Sequence, residues 1–361
     1  MKYFKRNVIK IASIYLASII GAGFASGQEI IQFFTNYGVN GFYGIALSGI
    51  LFAFFGYLIL EKVRIQKIKS FDELLFPLAG PVLGQVFKYI LLLFLFSIYC
   101  IMVAGMGGIL SRLFKLPFVS CLLMSGLLCM VIMIFDIEGI AKLSTVLAPL
   151  LVGGIVFASL LAIISSSVET SVEISSLEIS KLSAVWQQLK EVTNNWIVSS
   201  ILYVSYNNLL IVGVLSNMLP YLKKRSDAMG GGILGAFLIF LSAVTLNMAM
   251  FVNYERIMHS EFPMLDILKK YGSIITGIYN IILLFAMLTS AVNSGYSVIR
   301  SISEKFGINI RITTAVMCAI SVPLSSIGFA KLISTAYPTF GYAGLFIMVL
   351  LLTGGIKKVG K

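Results

Sequence analysis

Ten apolar stretches alternate with short polar punctuation along this chain, at Val8 to Phe34, Gly41 to Leu60, Leu83 to Leu110, Pro117 to Phe135, Leu143 to Ile164, Trp196 to Leu219, Met229 to Val252, Gly272 to Val298, Ile312 to Ile327 and Leu332 to Thr353. A hydrocarbon core about 30 Å thick takes roughly 20 apolar residues of helix, so the pattern predicts ten membrane-spanning helices. The longest polar segment, residues 165–195, lies in the middle of the chain and divides the spans five and five. An odd number per half turns the second half upside down relative to the first, which is the layout of an inverted-topology repeat. The expected architecture is an all-α polytopic membrane protein with one transmembrane domain over residues 1–361. Repeat one covers about 8–164, an outer loop 165–195, and repeat two about 196–353.

Inside the first span the apolar pattern fails at "IIGAGFASGQEII", where Gly21, Gly23, Gly27, Ser26, Gln28 and Glu29 interrupt the run. The span in the matching position of the second half reads "WIVSSILYVSYNNLLIVGVL" and is interrupted by Ser205, Tyr206, Asn207 and Asn208. Lipid offers polar groups no partners, so such groups must be satisfied within the protein. Paired interruptions in corresponding spans are a pointer to a transporter's binding site. Unwinding span 1 would free carbonyls at the end of one half-helix and amides at the start of the next, placing cation and anion ligands side by side. The competing reading of the glycines is a close helix crossing of the small-xxx-small kind, through Gly23 and Gly27.

Composition agrees with a membrane chain: 58% of residues are hydrophobic and 12% charged, with a mean hydropathy of +0.98. The net charge of +12 would suit a nucleic-acid partner only if it were clustered for one. Instead the stretches expected on the inner side carry 18 of the 27 Lys and Arg, concentrated at Lys2 to Lys10, Lys62 to Lys69, Lys223 to Arg225, Arg300 to Arg311 and Lys357 to Lys361, against eight in the outer ones. This is the positive-inside bias and places both termini in the cytoplasm, with no nucleic acid as partner. The basic start followed by an apolar run also resembles a signal peptide, but the apolar pattern continues through Ile30, Ile31, Phe33 and Phe34.

Of 15 acidic residues, Glu29 alone falls inside a span. A carboxylate there reads as a counter-charge to a cationic solute, a proton carrier or part of an ion site. The bland alternative is a side chain near the outer mouth, bonded to polar neighbours. Cys100, Cys121, Cys129 and Cys318 fall in apolar spans and read as buried thiols rather than a disulfide framework. His259 is the sole histidine, so no His-based metal cluster or catalytic triad can be assembled. Span 8 contains "FAMLTSAVNSGYSV", with Thr289, Ser290, Asn293 and Ser294 close together; such oxygens suit an alkali cation, although helical Ser and Thr also bond their own preceding turn. Short amphipathic helices packed on the outer surface are expected at Leu182 to Val192 and at Met264 to Leu268.

With these features together, the chain resembles the LeuT-type fold of the amino acid, polyamine and cation transporter superfamily, and over its length the bacterial YkvI-type membrane proteins. The resemblance implies broken helices 1 and 6. It also implies a sodium site built from the carbonyls of Ala17 and Ile20 in "SIIGAG", with the carbonyl of Ala286 and the hydroxyls of Thr289 and Ser290 in "AMLTS". It puts the solute at Ala22, Gly23, Ala25, Ser26 and Gly27 and at Tyr203, Ser205, Asn207 and Asn208, with Tyr99 a further wall. Glu29 is not part of the implied pattern. Some relatives replace sodium with a lysine in span 5, but Lys142 sits at the shallow inner edge of that span.

The functional expectation is a secondary active transporter of a small solute, an amino acid or related zwitterion, coupled to sodium and working by alternating access. Amides of Ala25, Ser26 and Gly27 would take a carboxylate, Asn207 and Asn208 would orient the solute, and Glu29 would couple or gate. The alternatives are proton coupling through Glu29, or a membrane sensor or scaffold that keeps the fold without transport. A channel would call for rings of like groups, and an enzyme for an acid–base pair, a metal cluster or a nucleotide loop, none of which the sequence offers. Beyond the solute and the lipid bilayer, the sequence names no partner and no oligomeric state.

Overall fold

The computed structural model of the chain describes residues 2–135, 149–164 and 195–353, and among these every regular element is helical. The first span is three pieces: α1 (Lys2–Ile19), α2 (Ala22–Ser26) and α3 (Gln28–Phe33). Then follow α4 (Asn40–Gln66), α5 (Phe71–Phe114), α6 (Phe118–Phe135) and α7 (Pro149–Ile164). The second half contains α8 (Trp196–Leu215), continued by a 3-10 turn over Ser216–Tyr221, then α9 (Arg225–Val252), two short helices α10 (Tyr254–Ile257) and α11 (Pro263–Leu268), α12 (Ser273–Phe306), α13 (Ile310–Ser325) and α14 (Phe329–Thr353). Six of these, α4, α5, α8 with its 3-10 extension, α9, α12 and α14, are long and apolar enough to cross a membrane. The apolar helices α6, α7 and α13 are shorter. The expected helix at Leu182 to Val192, and Lys142 in span 5, lie outside the described residues.

Span 1 breaks where the glycines predicted it. Gly21 is extended between α1 and α2, and Gly27 adopts a left-handed conformation (φ 86°) between α2 and α3. That conformation is strained for any residue with a Cβ, and a Cβ at Gly27 would also lie 2.9 Å from the Met250 sulfur. The Ser26 side chain holds the joint: its hydroxyl donates to the Gly23 carbonyl (2.7 Å) and accepts from the Gln28 amide (3.2 Å).

Span 6 corrects the sequence reading, because α8 runs unbroken through Ser205 to Asn208. Three of its four polar side chains there, those of Ser205, Tyr206 and Asn207, find partners that leave the helix intact. Asn207 Nδ2 donates to the Tyr203 carbonyl one turn back (2.9 Å), and the Ser205 hydroxyl donates across to the Gly341 carbonyl of α14. A polar interruption in a sequence is therefore not a helix break when each donor has an acceptor within reach.

Span 3 differs as well. Helical structure begins twelve residues before Leu83, at Phe71, where Ser70 caps the first turn by accepting from the Glu73 amide (3.2 Å). It then kinks at Gly80 (φ 76°).

The helices pack in pairs, α4 with α9, α8 with α14, α1 with α9, and α5 with α12. Small residues permit the closest approaches. A Cβ at Gly344 of α14 would stand 2.2 Å from the Ser205 carbonyl oxygen of α8, so these two backbones touch directly, as membrane interfaces built on small residues do. Replacement Gly344→Leu is expected to abolish the monodisperse folded peak in size-exclusion chromatography. Gly277→Ala, at a position where a Cβ meets nothing within 4 Å, is expected to leave that peak intact and to raise stability by about 0.5–1 kcal/mol.

Candidate functional site

The break in span 1 opens onto a cavity of about 410 Å³. Its walls come from seven helices: the end of α1 and the start of α2 (Ala17, Ser18, Ile19, Gly21, Ala22, Gly23), Glu29 of α3, the middle of α5 (Leu91, Phe94, Leu95, Ile98, Met102), α8 (Tyr206, Asn207, Leu209, Leu210, Gly213, Val214), α12 (Ser290, Asn293, Ser294, Ser297) and Tyr337 of α14. Glu29 sits in the wall as its one charged side chain and is 4% exposed. Tyr206 donates its hydroxyl to Glu29 Oε2 (2.9 Å). Tyr337, stacked on Tyr206 with ring centroids 4.7 Å apart, hydrogen-bonds the same carboxyl. The space for the carboxyl exists because residue 23 is glycine: a Cβ there would lie 2.2 Å from Glu29 Oε1. Gly23 thus serves the site rather than a helix crossing.

The cavity is one-sided. Ala17, Asn293 and Ser297 are exposed, whereas Ala22, Gly23, Glu29 and Tyr206 are buried. The opening therefore faces the end of the molecule where α1 begins, where α8 leads into Lys223 to Arg225, and where α12 ends near Lys305. On the opposite side Tyr203 packs among Phe33, Phe34 and Phe52, with centroids 5.4, 4.8 and 5.9 Å away. Against α2 lies α11, whose Pro263, Met264, Leu265, Ile267 and Leu268 are all buried. This is the expected helix at Met264 to Leu268, set into the protein as a lid: Pro263 Cβ is 3.4 Å from where a Cβ of Gly27 would be.

The predicted site residues divide accordingly. Ala17, Ala22, Gly23, Glu29, Asn207 and Ser290 line the cavity; Ile20, Ala25, Ser26, Gly27, Tyr99, Tyr203, Ser205, Asn208, Ala286 and Thr289 do not. The amides expected to receive a carboxylate are committed elsewhere, Ala25 N–H to the Gly21 carbonyl and Gly27 N–H to the Phe24 carbonyl, each at 3.0 Å. The Ala25 carbonyl accepts from the Tyr279 hydroxyl (2.7 Å). Tyr99 points away from the cavity toward α13, its hydroxyl 3.2 Å from the Cys318 sulfur. Thr289 donates to the carbonyls of Phe285 and Ala286, at 3.0 and 3.1 Å. Asn208 is buried with neither side-chain polar atom hydrogen-bonded among the described residues. The sequence missed Tyr206 and Tyr337 as partners of Glu29, and Phe94 beside them. Tyr206 stood within the polar run, but nothing in the pattern of span 10 singles out Tyr337.

Among the described residues, no group of three or more His, Cys, Asp or Glu could hold a metal ion, and Cys100, Cys121, Cys129 and Cys318 are free and buried.

No family model matches the chain. Two proteins of Bacillus subtilis (strain 168) resemble it almost end to end. The uncharacterized membrane protein YkvI is 25% identical over 354 residues, 97% of each chain, and the uncharacterized protein YyaD is 26% identical over 339 residues, 94% of each. Among solved structures, a mutant of the Eremococcus coleocola manganese transporter superposes with a TM-score of 0.61 at 15% identity, over 95% of this chain and 77% of that one. Mhp1 in its inward-facing conformation gives 0.60 at 10% identity over 95% and 74%, and a Na+-coupled sialic acid symporter in a substrate-bound outward-open state gives 0.59 at 16% over 95% and 78%. The chain is a membrane protein similar to YkvI and has the LeuT-type fold.

The lid is tied to the rim by charge. Asp266 of α11 pairs with Lys269 (2.6 Å) and with Arg112 at the end of α5 (3.4 Å), and it accepts from the Ser260 hydroxyl. Burial pushes the Asp266 carboxyl up, but the hydrogen bonds from Lys269 and Ser260 and the charges of Arg112 and Lys269 outweigh it and hold the group below the usual carboxylate range. A depressed native value means the contribution is present above about pH 4, the ordinary unfolded value, and is lost as pH falls through the native one. Asp266→Asn is expected to cost about 1 kcal/mol near neutral pH, with the gap to wild type closing in acid, as read from thermal melts across pH. The one-sidedness has its own test. In a cysteine-free background, Ser297→Cys is expected to react with a membrane-impermeant maleimide only from the side bearing the N-terminus, and Ser26→Cys, 0% exposed, from neither.

Proposed function

We propose that this LeuT-fold membrane protein is a secondary active transporter that moves a small amino-bearing solute, an amino acid or a related molecule, by alternating access between two faces of the bilayer. One observation carries the reading: a cavity at the break of span 1 that ends at a buried carboxyl, open toward one face and closed toward the other by an aromatic plug and a lid. A channel needs both ends open at once, and a transporter needs one closed. The volume, about 410 Å³, falls in the range of small-molecule sites, roughly 300–1,000 Å³.

In this reading the chain has ten spans, with both termini cytoplasmic. The six long helices, the three shorter apolar ones and the broken first span make up that number among the described residues. A two-fold relation between halves is supported by the pairing of span 2 with span 7 (α4 with α9) and span 3 with span 8 (α5 with α12). The lysine-rich side is then cytoplasmic, and the cavity faces inward. That relatives of this fold are transporters rather than enzymes agrees with the assignment.

Sodium is the proposed coupling ion, taken by the carbonyls of Ala17, Ile20 and Ala286 and the hydroxyls of Thr289 and Ser290. These hard oxygens suit it chemically, and Ala17 and Ser290 face one another's cavity. The Thr289 hydroxyl, while donating to its own helix, keeps lone pairs for a cation. Proton coupling through Glu29 is the second reading, favoured by the position of that carboxyl at the closed end.

Uptake into proteoliposomes tests both. Concentrative uptake that depends on an imposed sodium gradient and falls at least about ten-fold in Thr289→Ala plus Ser290→Ala is the expected outcome. Uptake driven by a proton gradient alone and lost in Glu29→Gln would assign the coupling to the glutamate instead. Absence of uptake by protein that binds solute would mark a non-transporting sensor.

A further inference from the structure

The chemistry of the cavity wall constrains the charge of what enters. Glu29 is the sole charged side chain facing it, with no Lys, Arg or His among the described residues that line it. Four hydroxyls around it have spent their donors: Ser18 on the Tyr15 carbonyl (2.7 Å), Ser294 on the Ser290 carbonyl (2.7 Å), Ser297 on the Asn293 carbonyl (2.8 Å), and Tyr206 on Glu29 itself. A hydroxyl that has donated presents lone pairs, so these groups face the cavity as acceptors. Beside the carboxyl stand three rings. Tyr206 and Tyr337 are stacked, and Phe94 lies with its centroid 6.1 Å from each, nearly perpendicular to both. Aromatic faces grouped around a desolvated negative charge attract nitrogen cations, including those too substituted to donate hydrogen bonds. The amides of Ala25 and Gly27, which the sequence offered to a carboxylate, are committed to the chain itself.

We infer that the solute is a small organic cation, an amine or quaternary ammonium without a carboxylate of its own, whose nitrogen sits against Glu29 beside the rings of Tyr206, Tyr337 and Phe94. The inference rests on the cavity being the transport site and departs from the amino-acid reading in the charge of the solute. With Glu29 ionised, a net-positive solute neutralises the cavity, whereas a zwitterion leaves it negative; burial of an unpaired charge in such a place is costly.

The test is a thermal-shift titration of purified full-length protein at fixed pH, sodium and ionic strength. Choline, butylammonium and putrescine are the cationic probes; leucine and betaine are the zwitterions, and butyrate is the anion. At least one cation is expected to raise the melting temperature in a saturable way, since a ligand of the native state stabilises it, and no zwitterion or anion is expected to match it. Glu29→Gln is expected to weaken the apparent affinity at least about ten-fold and Phe94→Leu several-fold. Stabilisation by leucine or betaine equal to that by the cations, failure of every cation, or unchanged cation affinity in Glu29→Gln would overturn the inference. If Glu29→Gln does not fold, unchanged affinity in Phe94→Leu does so. Uptake assays separate the two claims. Cation binding without uptake sinks the transporter reading and leaves the site; concentrative uptake of leucine without cation binding does the opposite.

Discussion

A carboxyl group buried within a membrane protein must be solvated by the protein, and the arrangement around Glu29 follows from that need. The group is brought inside by a helix that stops at Ile19 and restarts twice, at Ala22 and Gln28. It is given room by the missing side chain of Gly23 and a donor by Tyr206 of α8, with Tyr337 of α14 bonded to it as well. Those tyrosines hold it only because α8 and α14 lie in backbone contact where Gly344 meets the Ser205 carbonyl. A single buried carboxyl thereby couples α3, α8 and α14.

The same constraint explains why the polarity of the cavity is uneven. Toward the closed side the walls are rings and the lid is apolar, so the carboxyl has no route to water there. Toward the open side the serines of α12 and the end of α1 provide oxygen acceptors at the mouth. A site closed on one side and wet on the other is a state from which a small movement of α1 against α12 could reverse access, and these elements carry the oxygens proposed for the ion. The proposed coupling between ion and solute then has a physical carrier: α1 ends at the proposed ion site and α2 begins at the proposed solute site, with Gly21 between them.

The fold was legible to the extent that it is a matter of burial and period. Apolar length marked the spans, and glycine marked the break, because a left-handed residue such as Gly27 and a close approach such as that at Gly23 each exclude a Cβ. The reading failed where polarity was taken for geometry. Ser205 and Asn207 were read as a break, but each finds an acceptor, across at Gly341 or one turn back at Tyr203, and the helix continues. Tyr99 was placed in the site by its span, but its side chain leaves α5 beside the cavity-facing residues and reaches Cys318. Tyr337 went unseen because a tyrosine in an apolar run is unremarkable until another chain segment places a carboxyl beside it.

The amino-acid sequence by itself determined that this chain enters a membrane, where its helices lie, that the first of them is broken, and that Glu29 is the charge to be explained. Each of these depends on a residue's own chemistry and its near neighbours: transfer free energy, backbone freedom and the charge of one side chain. Tertiary structure alone decided what surrounds that charge, which amides remain free, and which end of the cavity is shut. Those depend on donors and rings contributed by segments up to about three hundred residues apart, such as Glu29 and Tyr337, and no local pattern records which way such side chains will face.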